Sequence, residues 1–114
     1  MSMTITQRQL DDVVMLDLAG RITIGEGTII LRERIQKMLN AGDKQFLLSL
    51  ADVDYIDSSG LGELVSSFTK VKNQDGDLKL LQLTRRVRDL MQITKLLTVF
   101  DVYDDEAEAI NSFR

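Results

Sequence analysis

The sequence predicts an α/β fold: one domain over residues 1–114, with a mixed sheet of four or five strands packed with about four helices. Three observations carry that reading. Apolar residues alternate with a period of two in some segments and recur at helical spacing in others, and the two kinds of segment are interleaved. A nearly continuous apolar run, Phe46-Leu47-Leu48-Ser49-Leu50, lies between two helical segments, as a central strand covered on both faces would. The chain also opens with a hairpin pattern, so the sheet is expected to be mixed.

The hairpin comes from Met3, Ile5 and Gln7 on one arm and Val14, Leu16 and Leu18 on the other, with Leu10, Asp11 and Asp12 between them. Gly20 to Gly27 reads as a polar, flexible connection. Thr28 to Leu39 takes helical spacing through Leu31, Ile35, Met38 and Leu39, and stops at Asn40-Ala41-Gly42. After the central run, Leu61, Leu64, Val65, Phe68 and Val71 mark a second helix, with Ser66, Ser67 and Lys70 assigned to its outer side. Leu78 to Leu83 supplies a further strand, and Val87, Leu90 and Met91 a shorter helix with Thr84 as its cap. Leu96 to Phe100 fits a short edge strand or a packed connector equally well. Asp105 and Glu108 form a capping pair for a last helix, whose apolar side is Ala107, Ile110 and Phe113.

Composition removes whole classes of chemistry. The chain has no cysteine and no histidine, which excludes disulfides, thiolate nucleophiles and the commonest neutral-pH base and metal ligand. A net charge of −4 disfavours phosphate backbones and anionic membranes. Arg85, Arg86 and Arg88 form the one dense basic cluster, but no aromatic residues interleave with them as a base-stacking platform requires, so they read as a solvated helix end, with a protein-docking patch as the lesser alternative, rather than a nucleic-acid site. The N-terminus lacks the pattern of a signal peptide and no later segment resembles a membrane span, which makes the cytoplasm the expected location.

The chemistry concentrates in Ala51-Asp52-Val53-Asp54-Tyr55-Ile56-Asp57-Ser58-Ser59-Gly60-Leu61-Gly62, which sets two hydroxyls at a strand-to-helix turn. Ser58 or Ser59 can cap the helix, and Gly60 and Gly62 permit a close turn. The end of a central strand before a helix N-terminus is also where phosphates collect. An architectural cap and a phosphoacceptor both fit these residues. A phosphate on Ser58 would add about −1.5 to −2 charges beside Asp57, a change that a complex centred on this turn tolerates less well than the fold does.

Other site chemistry has weaker support. A catalytic serine needs an adjacent base; there is no histidine, and Asp57 at its ordinary pKa is a poor substitute. Gly20, Gly25 and Gly27 lack dinucleotide-binding spacing, and Asp52, Asp54 and Asp57 lack the full ligand pattern of a calcium loop. No catalytic, cofactor-binding or metal-ligating residues are assigned.

From Gly20-Arg21-Ile22 through Leu31-Arg32-Glu33 and Asp57-Ser58-Ser59-Gly60-Leu61-Gly62 to Leu78-Lys79-Leu80, the chain resembles the STAS family, in particular the small bacterial anti-sigma factor antagonists. The resemblance implies that Ser58 is the phosphoacceptor and Ser59 its structural neighbour. It implies a partner surface of Asp57, Ser58, Ser59, Gly60, Leu61 and Gly62, joined by Thr23 and Glu26 from the preceding loop. The implied partners are an anti-sigma factor that is also a serine kinase, using ATP and magnesium, and a serine phosphatase that resets the switch. The chain itself would be a substrate and not an enzyme. Many antagonists carry an acidic residue where this chain has Thr23, so the kinase partner can differ; Glu26 is the nearby acid. The alternative is a stand-alone STAS interaction module in another signalling complex or in lipid or anion transport.

Overall fold

The computed structural model describes residues 3–114. Its single sheet has the order β1-β2-β3-β4-β5, formed by β1 Met3–Leu10, β2 Val13–Ile22, β3 Gln45–Ile56, β4 Asp77–Leu81 and β5 Val102–Tyr103. The first pair is antiparallel and the rest are parallel, so the mixed sheet expected from the opening hairpin is present with five strands. The helices α1 Glu26–Asn40, α2 Ser58–Asn73, α3 Arg85–Ile93 and α4 Glu106–Asn111 alternate with them.

The period-two pattern divides the apolar residues between two cores. Val14, Leu16 and Leu18 of β2 and Phe46, Leu48 and Leu50 of β3 face the cluster that takes Leu31 and Ile35 from α1, Leu61 and Leu64 from α2, and Val87 and Met91 from α3. Val13, Met15 and Leu47 face the opposite way and pack with Ala109 and Ile110 of α4. The central run is therefore buried on both sides, and β3 sits third of five.

Several elements differ from expectation. The Gly20–Gly27 segment is not a loop throughout: Gly20 and Ile22 belong to β2, Glu26 and Gly27 to α1, and three residues connect them. β3 continues six residues beyond Leu50. Pairing Asp17 with Ser49, Ala19 with Asp52, Gly20 with Val53 and Arg21 with Tyr55 gives β3 one extra residue at each of two irregularities. Bulges of that kind shift the inward face, which is why Leu50, Val53 and Ile56 point into the core at intervals of three. Leu96 to Phe100 is a connector: a 3-10 turn at Leu96–Thr98, with edge strand β5 starting only at Val102.

Two side chains fall on unexpected faces. Ser67 is buried, not outward, because its hydroxyl donates to Glu63 Oε2 at 3.2 Å, and Glu63 Oε1 accepts from Arg32 Nε at 2.9 Å between α2 and α1. In α4, Ala109 rather than Ala107 is buried beside Ile110. The predicted caps of the last two helices are present: Thr84 accepts from the Val87 amide, and Asp105 from that of Glu108.

Candidate functional site

The site begins where β3 ends. Sequence reasoning placed the cap of α2 on Ser58 or Ser59, but the N-cap is Asp57, with Ser58 as the first helical residue. Asp57 Oδ1 accepts from the Gly60 amide at 2.8 Å and Oδ2 from the Ile24 amide at 3.0 Å. A carboxylate has two oxygens and serves two chain segments at once, whereas a serine hydroxyl cannot reach both. The Asp57 backbone completes the junction: its N–H donates to Ile22 O at 3.3 Å and its carbonyl accepts from the Leu61 amide.

These bonds fasten the loop between β2 and α1 to the first turn of α2. Its own backbone closes with Thr28 N–H donating to Thr23 O, and Thr28 Oγ1 donating to Gly25 O. Thr23 and Glu26, which flank the tethered Ile24–Gly25 pair, thus lie at the same end of the sheet as Ser58. The hydrogen bond from the Ile24 amide holds the Asp57 carboxyl below its ordinary value; burial opposes this, and the Gly60 and Ser59 amides reinforce it.

The eight residues expected at the partner surface divide by exposure. Ser58, Gly62 and Glu26 are exposed, and Thr23, Asp57 and Ser59 are half-buried. Gly60 and Leu61 are buried and form the turn's foundation. Gly60 lies so close to Ile22 that no β-carbon fits between them, while Gly62 has open space around it.

Sequence reasoning missed the apolar surface around Ser58. Ile24 is 75% exposed and Ile93 78% exposed. Tyr55 is partly exposed beneath the Arg21 guanidinium, 5.0 Å from its ring centre. A groove of about 490 Å³ runs beside the turn, with Tyr55, Asp57 and Ser58 on one wall and Arg86, Leu90 and Ile93 of α3 on the other. The available signals were an isoleucine between Thr23 and Gly25 in a glycine-rich connection and another outside the Val87, Leu90, Met91 stripe. Among the described residues, no group of three or more His, Cys, Asp or Glu side chains is placed to hold a metal ion, and no helix is long and apolar enough to cross a membrane.

A five-stranded mixed sheet whose central strand ends on an Asp-capped turn with an exposed serine defines an α/β domain that presents a hydroxyl at a helix start. Residues 4–109 match the family model of the STAS domain. The chain is 33% identical to the anti-sigma-B factor antagonist of Bacillus subtilis, over 90% of this chain and 92% of that one. A crystal structure of a candidate anti-sigma factor antagonist from Thermotoga maritima superposes with a TM-score of 0.89 at 27% identity, covering 96% and 94% of the two chains. The Bacillus cell fate determinant SpoIIAA in its phosphorylated form, at 19% identity, shares the fold with a TM-score of 0.76 over 97% of this chain and 100% of that one. The chain belongs to the STAS domain family and, within it, to the anti-sigma factor antagonists. Members of this family are regulatory proteins that act by binding and not by catalysis.

Proposed function

We propose that this protein binds an anti-sigma factor that is also a serine kinase, thereby releasing a sigma factor in the cytoplasm, and that phosphorylation of Ser58 ends the complex. The observation that carries the reading is the exposed Ser58 at the first position of α2, on a turn that Asp57 bonds to the Ile24 amide and beside a groove that Ile93 also lines. The kinase supplies ATP, magnesium and the base that this chain lacks, and a serine phosphatase restores the hydroxyl. Ser59, half-buried, is the lesser acceptor. Asp57, Ser58, Ser59, Gly62, Thr23 and Glu26 supply the contact surface, and Gly60 and Leu61 support it.

Adding a dianion at Ser58 places like charge beside Asp57 and forces a charged group into an apolar contact, so the complex is lost while the fold remains. A pull-down from native cytosol tests this with wild type, Ser58→Ala and Ser58→Asp, with phosphate mapped by mass spectrometry. The expected result is an anti-sigma factor kinase retained by the alanine variant and lost by the aspartate variant. Equal capture by all three, with no phosphate on Ser58 or Ser59, refutes the switch. Thr23 favours a second reading, since it carries no charge where many antagonists carry an acid: a STAS module serving another signalling or transport complex. Recovery of transporter subunits in place of a kinase would select it.

A further inference from the structure

In the first turn of α2 the amides of Gly60 and Leu61 are already engaged, as is the Ile24 amide of the neighbouring loop. The Gly60 N–H donates to Asp57 Oδ1, the Leu61 N–H donates to Asp57 O, and the Ile24 N–H of the neighbouring loop donates to Asp57 Oδ2. A phosphate added at Ser58 therefore finds these three donors taken, and the groove offers a further one. Ser58 and Arg86 line the same space from two different elements, the β3–α2 turn and α3.

Arg86 is well suited to receive an anion. It is exposed and forms no ion pair among the described residues, whereas its neighbour Arg88 is committed to Asp104 at 3.6 Å. It also stands in the first turn of α3 with Arg85 and Arg88, at the positive end of the helix dipole, where a cation is unfavourable until an anion arrives. Guanidinium matches phosphate oxygens in bidentate geometry, which a point-charge ammonium does not. Asp57 and Asp89 also line the groove and repel a dianion, an opposition that the Arg86 pairing has to outweigh. Arg21, stacked on Tyr55, adds positive potential behind that wall.

Resting on the reading of Ser58 as the phosphoacceptor, we propose that phosphoserine 58 pairs with the Arg86 guanidinium across this groove. The pair lies over the apolar surface of Tyr55, Leu90 and Ile93. Phosphorylation then ends partner binding by covering a docking surface as well as by adding charge.

The test uses the full chain with phosphoserine installed at position 58 during translation, so it needs neither the natural kinase nor the partner. Phosphorus NMR titration should give a second phosphate pKa lower by about half a unit or more in wild type than in Arg86→Ala, with Arg86→Lys intermediate and Arg85→Ala unchanged. The Ile93 methyl signal should lose accessibility to a soluble paramagnetic agent on phosphorylation in wild type and not in Arg86→Ala. An identical phosphate titration in wild type and Arg86→Ala overturns the proposal, as does an Ile93 methyl equally accessible before and after phosphorylation. These readouts concern an installed phosphate alone, so they can fail while the partner switch stands. The pull-down can fail while they succeed.

Discussion

A β-carbon on Gly60 would fall onto the carbonyl oxygen of Ile22, so the start of α2 and the end of β2 touch through the one residue type that permits it. Ile56, another close neighbour of Gly60, is fully packed in the core and cannot move aside. Gly60→Ala should therefore destabilise the protein by about 2–3 kcal/mol through overpacking. Gly62, exposed in the same helix with open space around it, should gain about 0.5–1 kcal/mol on substitution by alanine. Urea denaturation of the two variants should move in opposite directions; a stable Gly60→Ala variant would contradict the close junction.

Asp57 ties stability to acidic pH. Its carboxyl titrates below the ordinary value of 3.8 because the Ile24, Gly60 and Ser59 amides favour the ionised form. A depressed folded-state pKa contributes stability that is fully present above the unfolded value and lost as pH falls through the folded one. Asp57→Asn keeps one acceptor oxygen and loses the second, which should cost about 1 kcal/mol at pH 7. The gap between wild type and variant should hold from pH 7 to about 5 and close below about 4. Urea midpoints measured from pH 7 to pH 3 provide the check, and a gap that persists undiminished at pH 3 would count against it.

Much of the fold was legible because period two and period 3.6 separate cleanly in Val14, Leu16 and Leu18 and in Leu31, Ile35 and Met38, all buried as those periods require. Legibility failed where tertiary contacts override local pattern. The bulges in β3 convert an alternating strand into Leu50, Val53 and Ile56, a spacing that neither template matches. Ser67 looks like a surface hydroxyl until Glu63 is seen folded inward to meet Arg32. At the site, the serines, the turn and the helix start were all visible in the motif. The identity of the cap was not, because it depends on Ile24, thirty-three positions away in sequence. The groove was invisible for the same reason, since its two walls come from β3 with its turn and from α3.

The Arg32, Glu63 and Ser67 network should show strong coupling. Glu63 is buried, with its charge facing an arginine side chain that is about half exposed. Removing the cation leaves a buried carboxylate with only the Ser67 hydroxyl, so Arg32→Ala should cost about 1–2 kcal/mol, less than for a fully buried pair because solvent already reaches the guanidinium. In a Glu63→Gln background no charge is left stranded, and the same substitution should cost little. A double-mutant cycle by urea unfolding measures this; an equal cost in both backgrounds would show that the pair is uncoupled.

Lys79 anchors α4 independently of the site. Although almost fully buried, its ammonium donates to Ser112 O and Ser112 Oγ at 3.0 Å each and lies 4.7 Å from the centre of the Phe113 ring. Lys79→Met retains apolar bulk but loses these donors, and the C-terminal segment should open more often. Amide exchange in residues 105–114 should accelerate about tenfold, the equivalent of one or two lost polar contacts. Exchange in residues 58–62 should be unchanged, since those amides lie on α2, which packs in the other core. Acceleration at both places would mean that α4 and the site share one cooperative unit.

Ile24 and Ile93 give the clearest separation of function from folding. Each exposes at least three-quarters of its surface, so neither makes a large contribution to the core, and Ile24→Ser and Ile93→Ser should change stability by no more than about 0.5 kcal/mol. They are nevertheless the large apolar side chains most exposed around a serine whose charge state controls the proposed complex. Apolar anchors at the centre of an interface typically carry more than 1 kcal/mol, so each serine substitution should weaken partner binding about tenfold. Leu10, also exposed but on the β1 arm of the hairpin away from the α2 turn, supplies the control: Leu10→Ser should leave affinity unchanged. Isothermal titration with the kinase recovered in the pull-down measures all three. If Ile24→Ser and Ile93→Ser bind as tightly as wild type, the partner does not use the surface beside Ser58, and the phosphate would have to act on the complex from a distance.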